Sequence, residues 1–170
     1  MTSLRAIYLV LSIAIGFVSM AQTDSLWRVW SDTAKPDSAR LKAIQVLAWK
    51  TVFEQPDSGM ALAYEQLTLA KRSKAPLSEF EAYTTMAVGS SMKSDYTASL
   101  GYLQMCLTTA QTLRDRKREA NTYSNLSNVY KNLGDLPMAL EQLQKSLRID
   151  QELNNQEGLA GTYNNIGNIH

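Results

Sequence analysis

The sequence predicts an all-α fold, a solenoid built from antiparallel helical hairpins. Apolar residues recur three and four positions apart, which is the period of a helix and not the alternation of a strand. Equivalent residues also recur at a fixed step of forty, as Tyr83, Tyr123 and Tyr163 do. Because a single hairpin of this kind cannot bury its apolar side alone, repeated hairpins stack on one another.

Composition narrows the classes of function. The chain has 170 residues, 45% of them hydrophobic, which is enough to bury a core. A formal net charge of +1 provides no basic field for a nucleic-acid backbone, so no nucleic-acid partner is expected. One cysteine, Cys106, and one histidine, His170, exclude an internal disulfide and a zinc site made of Cys and His alone. No catalytic motif is present, so we expect neither an enzyme nor a cofactor.

Residues 1–21 have the pattern of a signal peptide. Arg5 supplies the positive charge, and the apolar run Ala6 to Val18 is long enough for a signal but short for a membrane span. Small residues at Ser19 and Ala21 place the cleavage site before Gln22, and an uncleaved anchor is the alternative. No cysteine follows for a lipid anchor. The sequence therefore predicts export to the periplasm or cell envelope.

The remaining chain divides at the repeat step. Residues 22–36 form a polar lead-in whose Trp27 and Trp30 we expect to cover the first hairpin as a short helical cap. The predicted units are a divergent first repeat at 37–75, repeats at 76–115 and 116–155, and the first helix of a fourth unit at 156–170. In the first unit, Ile44, Leu47 and Ala48 fit the repeat pattern only with a displacement of one residue.

Local signals predict where helices begin and end. Ser78 and Glu81 have the spacing of a capping box, and Asp57 after Pro56 is expected to start a helix. Gly134 suits the left-handed position that ends a helix, and Asp135 can cap the next one. Pro137 falls in the first turn of that helix, where its missing N–H costs nothing.

One run of residues resembles a known repeat family. Tyr123, Leu126, Ser127 and Tyr130, followed by the Gly134-Asp135 pair, Ala139, Leu143 and Leu147, resemble the tetratricopeptide repeat in its extended, forty-residue form. The resemblance covers roughly residues 37–170. It implies a right-handed superhelix whose first helices line a concave face, and a protein or peptide partner bound there.

A narrower resemblance involves the segments DSLWRVW, KPDSARLKA and QPDSGMA. They are similar to the N-terminal region of exported Bacteroidetes-type tetratricopeptide proteins, some of which continue into a membrane helix and a cyclase or sensor-kinase domain. The sequence stops at His170, inside a first helix, so a fragment of such a protein is expected, with any membrane attachment outside this chain. A spacer that builds oligomers is a third interpretation, and the oligomeric state stays open.

The candidate binding residues lie on the predicted first helices. Most are amides, which offer both a donor and an acceptor to the backbone of an extended peptide. They are Asn121, Ser124, Asn125, Asn128, Lys131, Asn164, Asn165 and Asn168. The alternative is that these side chains only bond across neighbouring hairpins or face water.

Three further features have simpler interpretations. A carboxylate clamp of the kind some relatives use is incomplete, because Thr84, Thr85 and Val88 replace the cations that Lys131 would need as companions. The charged run from Arg114 to Glu119 predicts a solvated turn. Cys106 occupies a small-residue position and is expected to be buried and inert.

Overall fold

The computed structural model describes residues 21–169, and these form helices joined by short turns. Helix α1 covers residues 21–31. The following helices are α2 (Asp37–Glu54), α3 (Pro56–Arg72), α4 (Pro76–Met92), α5 (Tyr96–Thr112), α6 (Arg116–Asn132), α7 (Leu136–Glu152) and α8 (Gln156–Gly167). Residues 1–20 of the predicted signal peptide lie outside the described residues, and the predicted cleavage bond before Gln22 falls within α1. Among residues 21–169, no helix combines the length and apolar character needed to cross a bilayer.

The helices stack as a linear array, which confirms the predicted all-α solenoid. Helix α2 pairs with α3, α4 with α5 and α6 with α7, and each pair also packs against the next through α3·α4, α5·α6 and α7·α8 contacts. The first helices α2, α4, α6 and α8 share one side of the array, where α2 meets α4 and α6 meets α8. We call this side the first-helix face.

A single turn geometry recurs between the helices from α3 to α8. Each of these turns contains one residue with a positive φ. These residues are twenty positions apart: Lys74, Ser94, Arg114, Gly134 and Asn154. The next residue donates its N–H to the carbonyl five residues back at 2.9 Å, for example Asp95 to Ser90 and Asp135 to Tyr130. This is a Schellman closure, and it satisfies carbonyls that the helix end leaves free.

The residue that closes one helix also caps the following one. Asp95, Asp115 and Asp135 accept the N–H groups of Ala98, Arg118 and Met138 at 3.0, 3.0 and 3.1 Å. The predictions for Gly134, with φ +79°, and for the Asp135 cap are therefore confirmed.

Two other predicted helix starts are wrong. Helix α4 begins at Pro76 with Ala75 at its N-cap and no side-chain cap, so Ser78 lies inside the first turn. Helix α3 begins at Pro56 with Gln55 at the N-cap, so Asp57 is not its cap. In both helices the fixed φ of proline suits the first helical position, and it outweighs the side-chain capping signal nearby.

In the first unit, a shorter turn between α2 and α3 accounts for the one-residue displacement from the repeat pattern. Ile44, Leu47 and Ala48 are all buried, as the displaced alignment requires. Gln55 alone joins α2 to α3, whereas three residues join α4 to α5. The tight link brings the two backbones together at Gly59, where an added Cβ would lie 2.4 Å from the Val52 Cα.

The core is distributed along the array. One cluster joins the first two units and includes Ala48, Leu67 and Tyr83, and another joins the second and third around Leu103 and Leu126. Trp30 of α1 packs over a third cluster formed by Leu41, Leu69 and Ala70, while Trp27 stays exposed. Tyr83 and Tyr123 contact the core, but Tyr163 is 55% exposed, because within residues 21–169 no helix follows α8 to cover it.

Gly59 and Gly101 give a matched test of this packing. Gly59→Ala must force α2 and α3 apart, so we expect it to lower the free energy of unfolding by about 1–3 kcal/mol. Gly101→Ala meets nothing within 4 Å and gains helix propensity, so it should raise that free energy by up to about 1 kcal/mol. Urea denaturation followed by circular dichroism measures both; equal effects would contradict the close approach at Gly59.

Candidate functional site

Three pockets open along the first-helix face. The amide pocket, about 200 Å³, lies between α4 and α6. The aromatic pocket, about 470 Å³, lies between α2, α4 and the start of α6. The acidic pocket, about 500 Å³, lies between α6, the end of α7 and α8. The face that the tetratricopeptide resemblance assigns to ligand binding therefore carries three cavities, and a further cavity lies at Trp30, Arg40 and Tyr64.

The amide pocket has an apolar floor and a polar rim. Ala87, Leu103 and Val129 form part of the floor, and these side chains are buried. Asn125 and Asn128 lie on one side of the rim. Helix α6 places both on one face because they are three residues apart. The pocket can therefore surround an apolar group while amides contact the polar atoms beside it.

The structure brings together only part of the predicted set. Asn125 and Asn128 line the amide pocket, Asn121 lines the aromatic and acidic pockets, and Ser124 and Asn165 line the acidic pocket. Lys131, Asn164 and Asn168 line none of these three pockets. The Ser124 hydroxyl lies 3.0 Å from the Ser146 hydroxyl of α7, so it also joins the two helices of its hairpin.

The asparagine amides do not bond across hairpins. Between described residues, no side-chain hydrogen bond is formed by Asn121, Asn125 or Asn128. Asn121 and Asn128 are exposed and Asn125 is half-buried. These amides therefore face solvent, as both the binding prediction and its alternative allow, and their role in peptide binding stays a prediction.

The aromatic pocket contains residues that the sequence analysis did not select. Trp49 of α2 is 41% exposed and lies edge-on to Phe53, with ring centroids 5.0 Å apart. Across the pocket, the Arg118 guanidinium lies 5.6 Å from the centroid of the Phe80 ring. Burial raises the pKa of the Glu81 carboxyl, and the Arg118 charge opposes this rise. In the sequence, the spacing of Trp49 and Phe53 indicates that both rings lie on one face of a helix. A helix face buried in the core would show the same spacing.

The charged run is a helix start, and its prediction as a solvated turn is wrong. Only Arg114 and Asp115 lie in the turn, because Asp115 caps α6 and allows the helix to begin at Arg116. The backbone N–H of Arg118, aided by its guanidinium, holds the pKa of Asp115 below its usual value. Arg116 contacts Glu119 and reaches Glu152 of α7 at 2.8 Å. These charges tie neighbouring helices together.

The cations that line the pockets of the first-helix face are Lys117 and Arg118, not Lys131. Lys117 and Asn121 are one turn apart on α6, and both line the aromatic and the acidic pockets. Thr85 lies in the wall of the aromatic pocket, and its hydroxyl donates to the Glu81 carbonyl oxygen at 3.1 Å. Lys117 and Asn121 have a four-residue spacing in the sequence, which would place them on one face of a helix. The sequence analysis missed this because it predicted a turn at Lys117.

Cys106 is enclosed, as predicted. Its Sγ lies 3.5 Å from the Thr84 hydroxyl and 3.7 Å from the Phe80 carbonyl oxygen, and the residue is 1% exposed. Burial raises the pKa of the thiol to about 11. Residues 21–169 hold no group of three or more side chains suited to bind a metal ion.

Comparison with known proteins agrees with this geometry. The tetratricopeptide repeat family matches residues 78–152, which span the second and third units. The structure of BtubC (BKLC) from P. vanneervenii superposes with a TM-score of 0.73 at 18% identity, covering 89% of this chain and 63% of BtubC. The TPR domain of Arabidopsis FLU superposes with a TM-score of 0.60 at 20% identity, covering 66% of this chain and 96% of that domain.

These similarities agree with the observed stack of helical hairpins. The fold is a helical-repeat solenoid of the tetratricopeptide type, and repeats of this type generally act as non-catalytic scaffolds that bind other proteins. The chain spans 63% of the length of BtubC. No functionally curated protein matches the sequence.

The enclosed thiol gives a test of the packing beneath the pockets. At pH 8 the folded chain should react with Ellman's reagent roughly a hundredfold more slowly than the chain unfolded in urea, because burial raises the thiol pKa to about 11. Absorbance at the thionitrobenzoate band measures both rates. Comparable rates in the folded and unfolded states would show that Cys106 is accessible and that the α4–α5 contact is looser than described.

Proposed function

We propose that this chain holds an extended segment of another protein on its first-helix face, with the amide pocket as the main contact. The single observation that carries the proposal is the amide pocket itself, an apolar floor bordered by two asparagines whose amides have no partner among the described residues. An extended peptide exposes both an apolar side chain and unpaired backbone groups, and this pocket offers a contact to each.

The size of the amide pocket suits one side chain. A dry apolar cavity of about 150 Å³ is large enough to hold benzene. The amide pocket, at about 200 Å³, therefore accepts a single aliphatic or aromatic side chain. Val88 and Met92 border it on the α4 side, and Met92 is 47% exposed. The flexible methionine can adapt to the shape of the incoming group.

The asparagines supply contacts that do not depend on ligand sequence. Each amide can donate to a backbone carbonyl and accept from a backbone N–H. Asn125 and Asn128 of α6 occupy the positions held in α8 by Asn165 and Asn168, one repeat later. A segment crossing from α6 to α8 would meet amides on both helices. The face therefore favours extended segments with an apolar anchor and few other sequence requirements.

Export to the cell envelope completes the proposal. Its support is the N-terminal pattern of Arg5, the apolar run to Val18 and the small residues Ser19 and Ala21. A scaffold located there would meet exported or membrane proteins as partners. Fractionation of cells expressing the full gene, followed by N-terminal sequencing, would test it; an intact Met1 on a cytoplasmic product would contradict it.

A second candidate is the extracytoplasmic input region of a membrane-bound cyclase or sensor kinase. It is favoured by the similarity of the segments DSLWRVW, KPDSARLKA and QPDSGMA to proteins of that arrangement. Sequencing the gene beyond the codon for His170 tests this candidate. A membrane helix followed by a catalytic domain would support it, and a stop codon after further repeats would contradict it.

Peptide binding is testable without knowledge of the natural partner. We expect displayed random heptapeptides selected on the wild-type chain to converge on one apolar position. Asn125→Ala combined with Asn128→Ala should weaken binding of the selected peptides about tenfold or more, because each lost hydrogen bond contributes about 0.5–1.5 kcal/mol. Fluorescence anisotropy measures the affinities.

A matched control uses amides on the other side of the array. Gln104→Ala combined with Gln144→Ala removes two exposed amides from α5 and α7 that line none of the three pockets, so affinity should stay within twofold. Asn164→Ala with Asn168→Ala reports whether the peptide extends across α8. Failure to enrich any peptide, or equal losses in the α6 variant and the Gln104/Gln144 control, would overturn the proposed site.

A further inference from the structure

We propose that the acidic pocket binds one guanidinium or ammonium group, carried by a basic side chain of the segment held on the first-helix face. This inference rests on the proposed peptide binding and adds a charge requirement to it. The pocket is the space of about 500 Å³ between α6 and α8, lined among others by Lys117, Asn121, Asp150, Glu157 and Gly161. The net charge of its lining is negative, whereas that of the equivalent pocket in the preceding repeat is positive.

The acidic and aromatic pockets occupy equivalent places in successive repeats. Glu81, Thr84 and Asn121 of the aromatic pocket correspond, forty residues on, to Asn121, Ser124 and Gly161 of the acidic pocket. At two further equivalent positions, Lys117 and Arg118 are replaced by Glu157 and Gly158. The same step replaces the Glu81 carboxylate by the Asn121 amide. Counting all charged lining residues, the net charge changes from +1 in the aromatic pocket to −1 in the acidic pocket.

A second carboxylate appears at a position that packing does not require to be charged. Asp150 is 1% exposed and lies in the wall of the acidic pocket. The equivalent residues are Ala70 and Ala110, both fully buried. The Asp150 carboxylate fits only because residue 158 is glycine, since a Cβ there would lie 2.3 Å from Oδ1. Two departures from the repeat are therefore needed to place this charge.

Asp150 is hydrogen-bonded but has no cationic partner. It accepts from the Asn155 amide at 2.7 Å and from the Ser146 hydroxyl at 3.5 Å. No described Lys or Arg lies within 4.0 Å of its carboxylate. A buried carboxylate without a counter-charge is costly, although the N-terminus of α8 offsets part of this cost. A cation arriving in the pocket would supply the missing counter-charge.

The charges that line the pocket select one positive charge. Asp150 and Glu157 are acidic and Lys117 is the only cation, so the lining carries one net negative charge. The Lys117 ammonium reaches Glu157 only at 3.9 Å, with both side chains well exposed, so this pair is weak and easily rearranged. Asn121 and Asn165 add amide oxygens to the rim, which accept from a guanidinium.

Gly161 of α8 leaves open space at the acidic pocket. Gly161 lies in the lining, and an added Cβ there would meet nothing within 4 Å. Glycine inside a helix lowers its stability relative to alanine, so packing alone does not favour it at this position. The open space at Gly161 belongs to the same pocket as the Asp150 carboxylate, so a basic side chain entering the pocket would meet no side chain at residue 161.

The test uses N-acetyl-arginine amide and its neutral isostere N-acetyl-citrulline amide as probes on the full chain. Amide resonances of Gly158 and Gly161 should shift saturably with the arginine probe and shift at least tenfold less with the citrulline probe. Asp150→Asn, which preserves shape, should weaken the arginine response at least tenfold, and Glu157→Gln should weaken it a few fold. Equal responses to both probes would overturn the proposal.

Two controls protect the interpretation. Glu141→Gln removes an exposed carboxylate of α7 outside the three pockets and should leave the arginine response unchanged, which separates local charge from net charge. Gly161→Leu fills the pocket without touching Asp150 and should abolish the response while the melting temperature stays the same or rises. An unchanged response in Gly161→Leu would contradict the location, even if Asp150→Asn failed to fold.

A peptide probe distinguishes the two possible sources of the cation, a side chain of an extended segment and a free small amine. Acetyl-Gly-Gly-Arg-Gly-Gly-amide should bind at least threefold more tightly than N-acetyl-arginine amide if the group belongs to an extended segment. Equal affinities would overturn the assignment to a peptide side chain and leave a site for small amines. Since these probes report directly on α8, they can succeed where peptide selection at the amide pocket fails, so the two proposals fail separately.

Discussion

The architecture depends on one turn in which a single residue closes a helix and caps the next. Its N–H completes the Schellman closure, and at Asp95, Asp115 and Asp135 its side chain accepts the first free N–H groups of the following helix. The geometry recurs every twenty residues, so it sets the lengths of α3 to α7 and their spacing. With the turns fixed, the first helices return to the same side in each unit, and the first-helix face follows.

The repeat signal predicted the fold because it reports on packing and turn length together. Tyr83, Met86 and Ala87 recur at a step of forty since each occupies the same contact between helices. Local capping signals were less informative. Ser78 and Glu81 have the spacing of a capping box, yet proline two residues earlier starts the helix, because its fixed φ and missing N–H already suit that position. Where two local signals compete, the backbone constraint is the stronger one.

The candidate site was only partly predictable, because the repeat signal identifies residues that recur and not residues that differ between repeats. Asn125 and Asn128 could be placed because they repeat as Asn165 and Asn168. Lys117 and Asp150 could not, since their importance depends on how they differ from the repeat. A departure from a repeat has no interpretation until the structure shows that Asp150 and Gly158 touch, and that Lys117 borders two pockets. Sequence periodicity identifies the shared framework, and the exceptions carry the specificity.

The left-handed turn residues differ along the array in the backbone cost that they carry. An L-residue in this conformation costs roughly 1–2 kcal/mol, whereas glycine avoids the cost and asparagine tolerates it. Gly134 and Asn154 flank α7, but Lys74, Ser94 and Arg114 carry that cost around α4 and α5. Packing of the neighbouring helices must therefore offset the cost at these three turns, whereas the two turns that flank α7 suit the residues that occupy them.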